Sequence, residues 1–382
     1  MLQNIHRFSL LTLIPAILPL IQAFELRPKD PSALSKTAVD EMCIMFEDHF
    51  NRFNLAHWKH EITLSGGGNG EFQSYRNNRT NSFVEDGVLY LQPSFTSDWL
   101  SESKMKDGGV INLWGSDETA CTDNSAGGCE RESFGESGGT YLNPIQSAKI
   151  KLDKSFSVSY GRVEVNARLP KGDWIWPGIW LMPKHSQYGT WPASGEIDIV
   201  ETRGNVNYTY GNVTTAGSTI QWGPSGDLNG YMDTHVDVLV DSGKSFADDF
   251  HIWGLEWNED GLRTYVDNTT MLSVNFDQSF WERGKFPKWA TNPWKGAGIT
   301  APFDQEFYLI MNVAVGGTNG YFPDTKEKPW KNADPRAVNK FWDRRKQWQR
   351  TWGSKHQSAL AVESVKIWTK DQSKCNAWNN NA

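Results

Sequence analysis

From Arg162 to Leu169 the chain alternates without a break: Val163, Val165, Ala167 and Leu169 share one side, while Arg162, Glu164, Asn166 and Arg168 share the other. A period of two is a half-buried strand, because successive side chains on an extended backbone point to opposite faces. The same grammar recurs. Asp86-Gly87 sits between apolar flanks in Phe83 to Gln92, and a tight hairpin with positive φ at both central residues suits that pair. Leu262 to Val266 alternates after the Asn258-Glu259-Asp260-Gly261 turn, and Phe307 to Val315 is apolar on both faces, as a sandwich-core strand would be. Helical periodicity is scarce, and its best stretch, Asn339 to Arg350, is short enough to be a surface turn. The 34 glycines favour turns over long helices. An all-β fold follows, an antiparallel β-sandwich or jelly roll with long decorated loops. No linker, charge block or repeat divides the 382 residues, so residues 24–382 read as one domain.

Charge narrows the partners. Lys and Arg total 38 against 45 Asp and Glu, a net charge of −7 without a basic cluster, so nucleic acid is not an expected partner. At the N-terminus, His6 and Arg7 precede the apolar stretch Leu10 to Ile21, with Ala23 before polar Glu25. This reads as a secretory signal over residues 1–23; Pro15 and Pro19 and the short run argue against a membrane anchor. Export agrees with four glycosylation tripeptides, at Asn78, Asn207, Asn212 and Asn268. It also agrees with an even set of four cysteines. Cys121 and Cys129 are near enough for a local bridge, and Cys43 with Cys375 would staple the two ends of the domain; three pairings are open, and this one is preferred. No Cys-x-x-Cys spacing supports zinc.

The chemistry concentrates in Ser194-Gly195-Glu196-Ile197-Asp198-Ile199-Val200-Glu201. On a regular strand Glu196 and Asp198 share a face and Glu201 has the wrong parity. A β-bulge at Ile199-Val200 absorbs one residue and returns Glu201 to their side. Four effective steps put the two Glu Cα atoms about 13 Å apart, and inward-leaning side chains bring the carboxyls to about 5–6 Å, near the separation of a retaining glycosidase. Three acids on one face repel, so one proton should be held at neutral pH. One carboxylate can then attack an anomeric carbon while a protonated one serves the leaving oxygen. A solvated acidic strand edge or a calcium site is the alternative for such a cluster. Five of the chain's 19 Trp, namely Trp174, Trp176, Trp180, Trp191 and Trp222, flank this strand, and indole rings stack on the apolar faces of sugars.

The segments Trp176-Pro177-Gly178-Ile179-Trp180-Leu181-Met182-Pro183, Trp191-Pro192-Ala193-Ser194 and Glu196 to Glu201 closely resemble glycoside hydrolase family 16, in its laminarinase-like branch. Phe250 to Trp257 and Phe307 to Gly320 are similar to the invertebrate β-1,3-glucanases and the related glucan- and lipopolysaccharide-binding recognition proteins. The resemblance spans Cys43 to Trp368. It implies a jelly roll with the acids in a concave carbohydrate groove, Glu196 as nucleophile, Asp198 as its helper and Glu201 as acid/base. With the neighbourhood of the acidic strand, it points to Trp176, Trp191, Trp222, Arg203, Gln221 and Asn312 as groove residues. Two departures stand out. Gln221 replaces the His common before Trp-Gly-Pro in laminarinases, and the segment before Cys43 is too short for the extra glucan-binding module of many insect recognition proteins.

Other motifs point nowhere. Gly135-Glu136-Ser137-Gly138-Gly139 lacks the strand and helix a nucleophile elbow needs, and His57-x-x-His60 reads as a surface pair because no further ligands accompany it. The expected protein is a secreted monomer acting on β-1,3-glucan, as a retaining endo-β-1,3-glucanase or as a non-hydrolytic immune receptor that also takes lipopolysaccharide. No cofactor is required; a structural calcium is left open.

Overall fold

The computed structural model describes residues 24–25, 42–241 and 243–378; the expected signal segment, 1–23, lies outside the described residues. The alternating segments pair into two large sheets. The first runs in the order Phe24–Glu25, His235–Leu239, Thr215–Gln221, Glu196–Thr202, Ile175–Pro183, Phe307–Val315, Lys149–Leu152 and Trp58–His60. Apart from the parallel two-residue edge, its pairings are antiparallel. The second places Gly161–Arg168 between His251–Asn258 and Leu360–Thr369, with Gly261–Val266, Thr269–Asn275, Val88–Leu91 and Ser82–Glu85 outward and Cys43–Asp48 also on Leu360–Thr369.

Val163, Val165 and Ala167 of the second sheet are buried with Ile179, Leu181, Ile197, Ile199, Leu309 and Met311 of the first in one continuous core. Each such side chain contributes about 1.5–3 kcal/mol on burial, so the period-two pattern fixes which face of every strand turns inward. At the predicted hairpin Asp86 and Gly87 have φ of 52° and 76°, joining Ser82–Glu85 to Val88–Leu91.

Asn339 to Arg350, the best helical candidate in the sequence, is helical and not the surface turn left open for it. Helices Ala337–Asp343 and Arg345–Trp348 form there, because Phe341, Trp342 and Trp348 are all buried. Phe341 and Trp348 stack at 4.4 Å. His57 and His60 are also buried, which overturns the surface pair. Burial and the neighbouring Arg79 push His60 down to about 3, and its Nε2 lies 2.8 Å from Ser82 Oγ. The Gly135–Gly139 motif forms a turn after the Glu130–Phe134 strand. Both preferred disulfides are present, Cys43–Cys375 and Cys121–Cys129. Asn78, Asn207 and Asn268 are exposed and Asn212 is half-buried. No helix among the described residues is long and apolar enough to cross a membrane.

Candidate functional site

Gly195 turns the chain into the acidic strand at φ 84°, where a Cβ would meet Phe303 at 2.9 Å. Beyond it, Glu196 pairs with Gln221 and Asp198 with Thr219, but Glu201 pairs with Gly217. Three residues on one strand thus oppose two on the other. The same slip occurs on the other side, where Trp180 pairs with Asp198, Ile179 with Val200 and Gly178 with Glu201. The bulge lies where the sequence places it, and it puts Glu196, Asp198 and Glu201 on the face opposite the core. Their partners Gln221 and Gly217 are four residues apart, so the two Glu Cα atoms are about 13 Å apart along the strand.

Each acid has its own environment. Trp191 Nε1 donates to Glu196 Oε2 at 2.9 Å, and Trp176 Nε1 donates to Glu201 Oε1 at 2.7 Å. Gln221 Nε2 donates to Asp198 Oδ2 at 3.2 Å and is itself steered by Asn229 Nδ2 on its Oε1 at 2.7 Å. Burial, then the charges of Glu196 and Glu201, hold the Asp198 carboxyl well above the usual range. Asp198 therefore keeps a proton to share with Glu196. Burial also raises Glu196, while hydrogen bonds from Asp198 and Trp191 and the Lys149 charge oppose the rise. Glu201 is pushed up to about 7, mainly by burial and also by the Glu196 charge, against the Trp176 bond, His235 and Arg203. A carboxylate beside a second acid that holds its proton near neutrality is the pair that a double displacement uses.

The residues grouped around the acids divide by burial. Trp191 is 46 % exposed and offers a free ring. Trp222 does not line the groove: it is fully buried, packs on Phe280, Phe286 and Trp294, and gives its N–H to Thr234 Oγ1 at 2.8 Å. It follows Gln221, whose side chain faces the acids, so strand parity sends Trp222 inward. Trp176 is buried, with Tyr321 stacked on it at 3.7 Å and 4°. Arg203 lies over Tyr321 at 4.2 Å and donates to the Tyr321 and Tyr210 carbonyls, bracing that stack. Asn312 accepts from Trp180 Nε1 at 2.7 Å and donates to the Tyr75 hydroxyl at 2.9 Å.

Sequence reasoning named Trp180 among the flanking indoles and missed Tyr321, His235 and Lys149. Trp180 is half-buried on the same sheet face, with the Lys149 ammonium 4.9 Å from its ring centre. Tyr321 follows the Gly316–Gly320 turn, where no periodicity marks it. His235 lies two strands from the acids and Lys149 three, brought in only by sheet order. Among the described residues, no group of three or more His, Cys, Asp and Glu is arranged to hold a metal.

Residues 130–297 match the family described as glycosyl hydrolases family 16. The chain is 44% identical over 335 residues to a protein named beta-1,3-glucan-binding protein from Penaeus monodon, covering 85% of this chain and 90% of that one. It is 32% identical over 314 residues to glucan endo-1,3-beta-glucosidase A1 of Niallia circulans, covering 79% of this chain but only 37% of that longer protein. The X-ray structure of the laminarinase from Rhodothermus marinus superposes with a TM-score of 0.52 over 86% of this chain and 97% of that one, at 24% identity, a likeness of fold. A relative this similar over nine-tenths of its own length leaves no other assignment for a jelly roll with a bulged acidic strand, and the chain belongs to glycoside hydrolase family 16.

Proposed function

We propose that the protein is a β-1,3-glucan hydrolase of the retaining, endo-acting kind. The observation that carries this reading is the bulge at Ile199-Val200, which gathers three acids on one face and leaves them in unequal protonation states. Glu196, whose carboxylate form the Asp198 and Trp191 hydrogen bonds favour against burial, attacks the anomeric carbon. Glu201 gives its proton to the departing glycosidic oxygen, so the C–O bond breaks as the glycosyl–Glu196 ester forms. Glu201, now a carboxylate, takes a proton from water, and that water cleaves the ester with the β configuration restored. Trp191 supplies a stacking face; Trp176, Arg203, Gln221 and Asn312 hold the groove's walls and acids in place.

A second reading is favoured by one observation: the shrimp relative, matched over most of both chains, is named for binding and not for cleavage. On that reading the groove holds β-1,3-glucan without useful turnover, and lipopolysaccharide is the second ligand to assay. Both readings place the protein outside the cell, in keeping with its two disulfides.

Laminarin incubated with the wild type, Glu196→Gln and Glu201→Gln separates them. The hydrolase releases oligosaccharides of retained configuration, and each amide loses about 10²-fold or more in rate while still binding. Azide restores turnover of an activated donor by Glu201→Gln and not by Glu196→Gln. Laminarin binding without sugar release above the mutants overturns the hydrolase and leaves the receptor.

A further inference from the structure

Glu201 faces a glycine on each neighbouring strand, since its cross-strand partners are Gly178 and Gly217. Side chains from nearby positions fill both gaps. At Gly178 a Cβ would lie 3.0 Å from Asn312 Oδ1 and 3.1 Å from Trp180 Cδ1. At Gly217 it would lie 3.0 Å from Asp237 Oδ1 and 3.4 Å from His235 Cε1. Asp237 and His235 therefore lean across the glycine toward Glu201. Directly paired Cβ positions on a sheet are about 4.5–5.5 Å apart, so the Gly217 position, with the imidazole 3.4 Å from it, lies between His235 and Glu201. His235 is held there: its Nδ1 is 2.8 Å from Thr219 Oγ1, and its Nε2 is 3.7 Å from Asp237 Oδ1.

We propose that His235 is a positioning residue for the proton of Glu201, acting through the gap at Gly217. The inference rests on Glu201 as the acid/base. A cationic imidazole across this gap stabilises the Glu201 carboxylate, so the acid releases its proton to the leaving oxygen more readily. The other groups facing Glu201 are Glu196 and Asp198 along its strand, Trp176 on the adjacent strand, Asp237 beside His235, and Arg203 and Tyr321 at the end of the groove. Glu196 raises the proton affinity of Glu201, and His235 and Arg203 lower it. Asp237, held below its usual range chiefly by the hydrogen bond with His235 against its own burial, keeps the imidazole leaning inward.

Two measurements test this. The first is proton NMR of the His235 Cε1–H signal, identified by its loss in His235→Gln, followed through pH in the wild type and in Glu201→Gln. Removing the negative partner should lower the His235 midpoint by about half a unit or more. An unchanged midpoint overturns the proposal. The second is the pH profile of laminarin hydrolysis. In His235→Gln the alkaline limb of kcat/KM should move up by about half to one unit with KM little changed. Gly217→Ala, whose Cβ crowds Asp237 Oδ1 at 3.0 Å and closes the gap between the imidazole and Glu201, should move the limb the same way. A limb that stays in place in both variants, with circular dichroism showing them folded, overturns the proposal. If the wild type releases no sugar, it is the hydrolase reading that fails, and the NMR result alone decides the coupling of the two residues.

Discussion

Replacing Glu201 by Gln should make the protein more stable, and only above mildly acidic pH. Glu201 titrates at about 7 in the folded protein against 4.5 for an ordinary glutamate. The folded state therefore holds this proton more tightly than the unfolded state. The stability it contributes is fully present below pH 4.5, declines as pH rises toward 7, and is gone above that. At about 1.4 kcal/mol per unit, the difference of 2.5 units amounts to roughly 3 kcal/mol, or about 2 kcal/mol after allowance for screening at the groove's mouth. Gln is nearly isosteric, does not titrate, and its amide oxygen can still accept the Trp176 N–H. Urea unfolding at pH 4, 6 and 8 should show the variant and wild type within a few tenths of a kcal/mol at pH 4, with the variant ahead by about 2–3 kcal/mol at pH 8. A difference that is flat across pH, or one that favours the wild type at pH 8, refutes the argument that Glu201 is held protonated by burial and its neighbours.

Other outcomes follow from burial. Trp222→Ala empties a fully buried site, and should cost about 3–5 kcal/mol in urea unfolding, with laminarin affinity of the folded fraction little changed. Trp191→Ala removes a half-exposed ring; it should weaken laminarin binding by about 1–2 kcal/mol in calorimetry while leaving the melting temperature within a few degrees. Removing Cys43–Cys375, which closes a separation of 332 residues, should cost about twice as much as removing Cys121–Cys129, which closes 8, since the cost grows with the logarithm of loop length. Thermal unfolding of the two double-serine variants checks that order.

What was legible in the sequence is what strand parity controls. Alternation located Gly161–Arg168 and the sheet face it buries. The misfit of Glu201 against Glu196 and Asp198 was enough to place a bulge, because three acids buried in a core would have no partners. Parity also carried information that was passed over: Gln221 and Trp222 are adjacent and so face opposite sides, which excludes one of them from the groove. What was not legible is cross-strand company. His235, Lys149 and Tyr321 are 34, 52 and 120 residues from Glu201 along the chain, and only the sheet order and the closing loops bring them near. The helices at Ala337–Asp343 and Arg345–Trp348 were legible only as a weak helical period that a surface turn could also explain, because packing of Phe341, Trp342 and Trp348 against the core, more than local propensity, makes them form.

The same proton bears on whether the groove cleaves or only holds its ligand. A site that merely grips a neutral polysaccharide needs hydrogen-bond donors, acceptors and flat rings, and an amide at position 201 would serve it as well as an acid. Three buried carboxyls on one strand face are a different matter. Asp198 is held neutral against two neighbouring charges and Glu201 is protonated only until about pH 7, so the arrangement weakens the fold as pH rises toward neutrality. Such a cost is characteristic of active sites, where strain and unfavourable charge persist because the chemistry uses them. Sequence similarity to a glucan-binding protein and the physical cost of the acids thus pull in different directions, and release of sugar from laminarin by the wild type, set against Glu196→Gln and Glu201→Gln, decides between them.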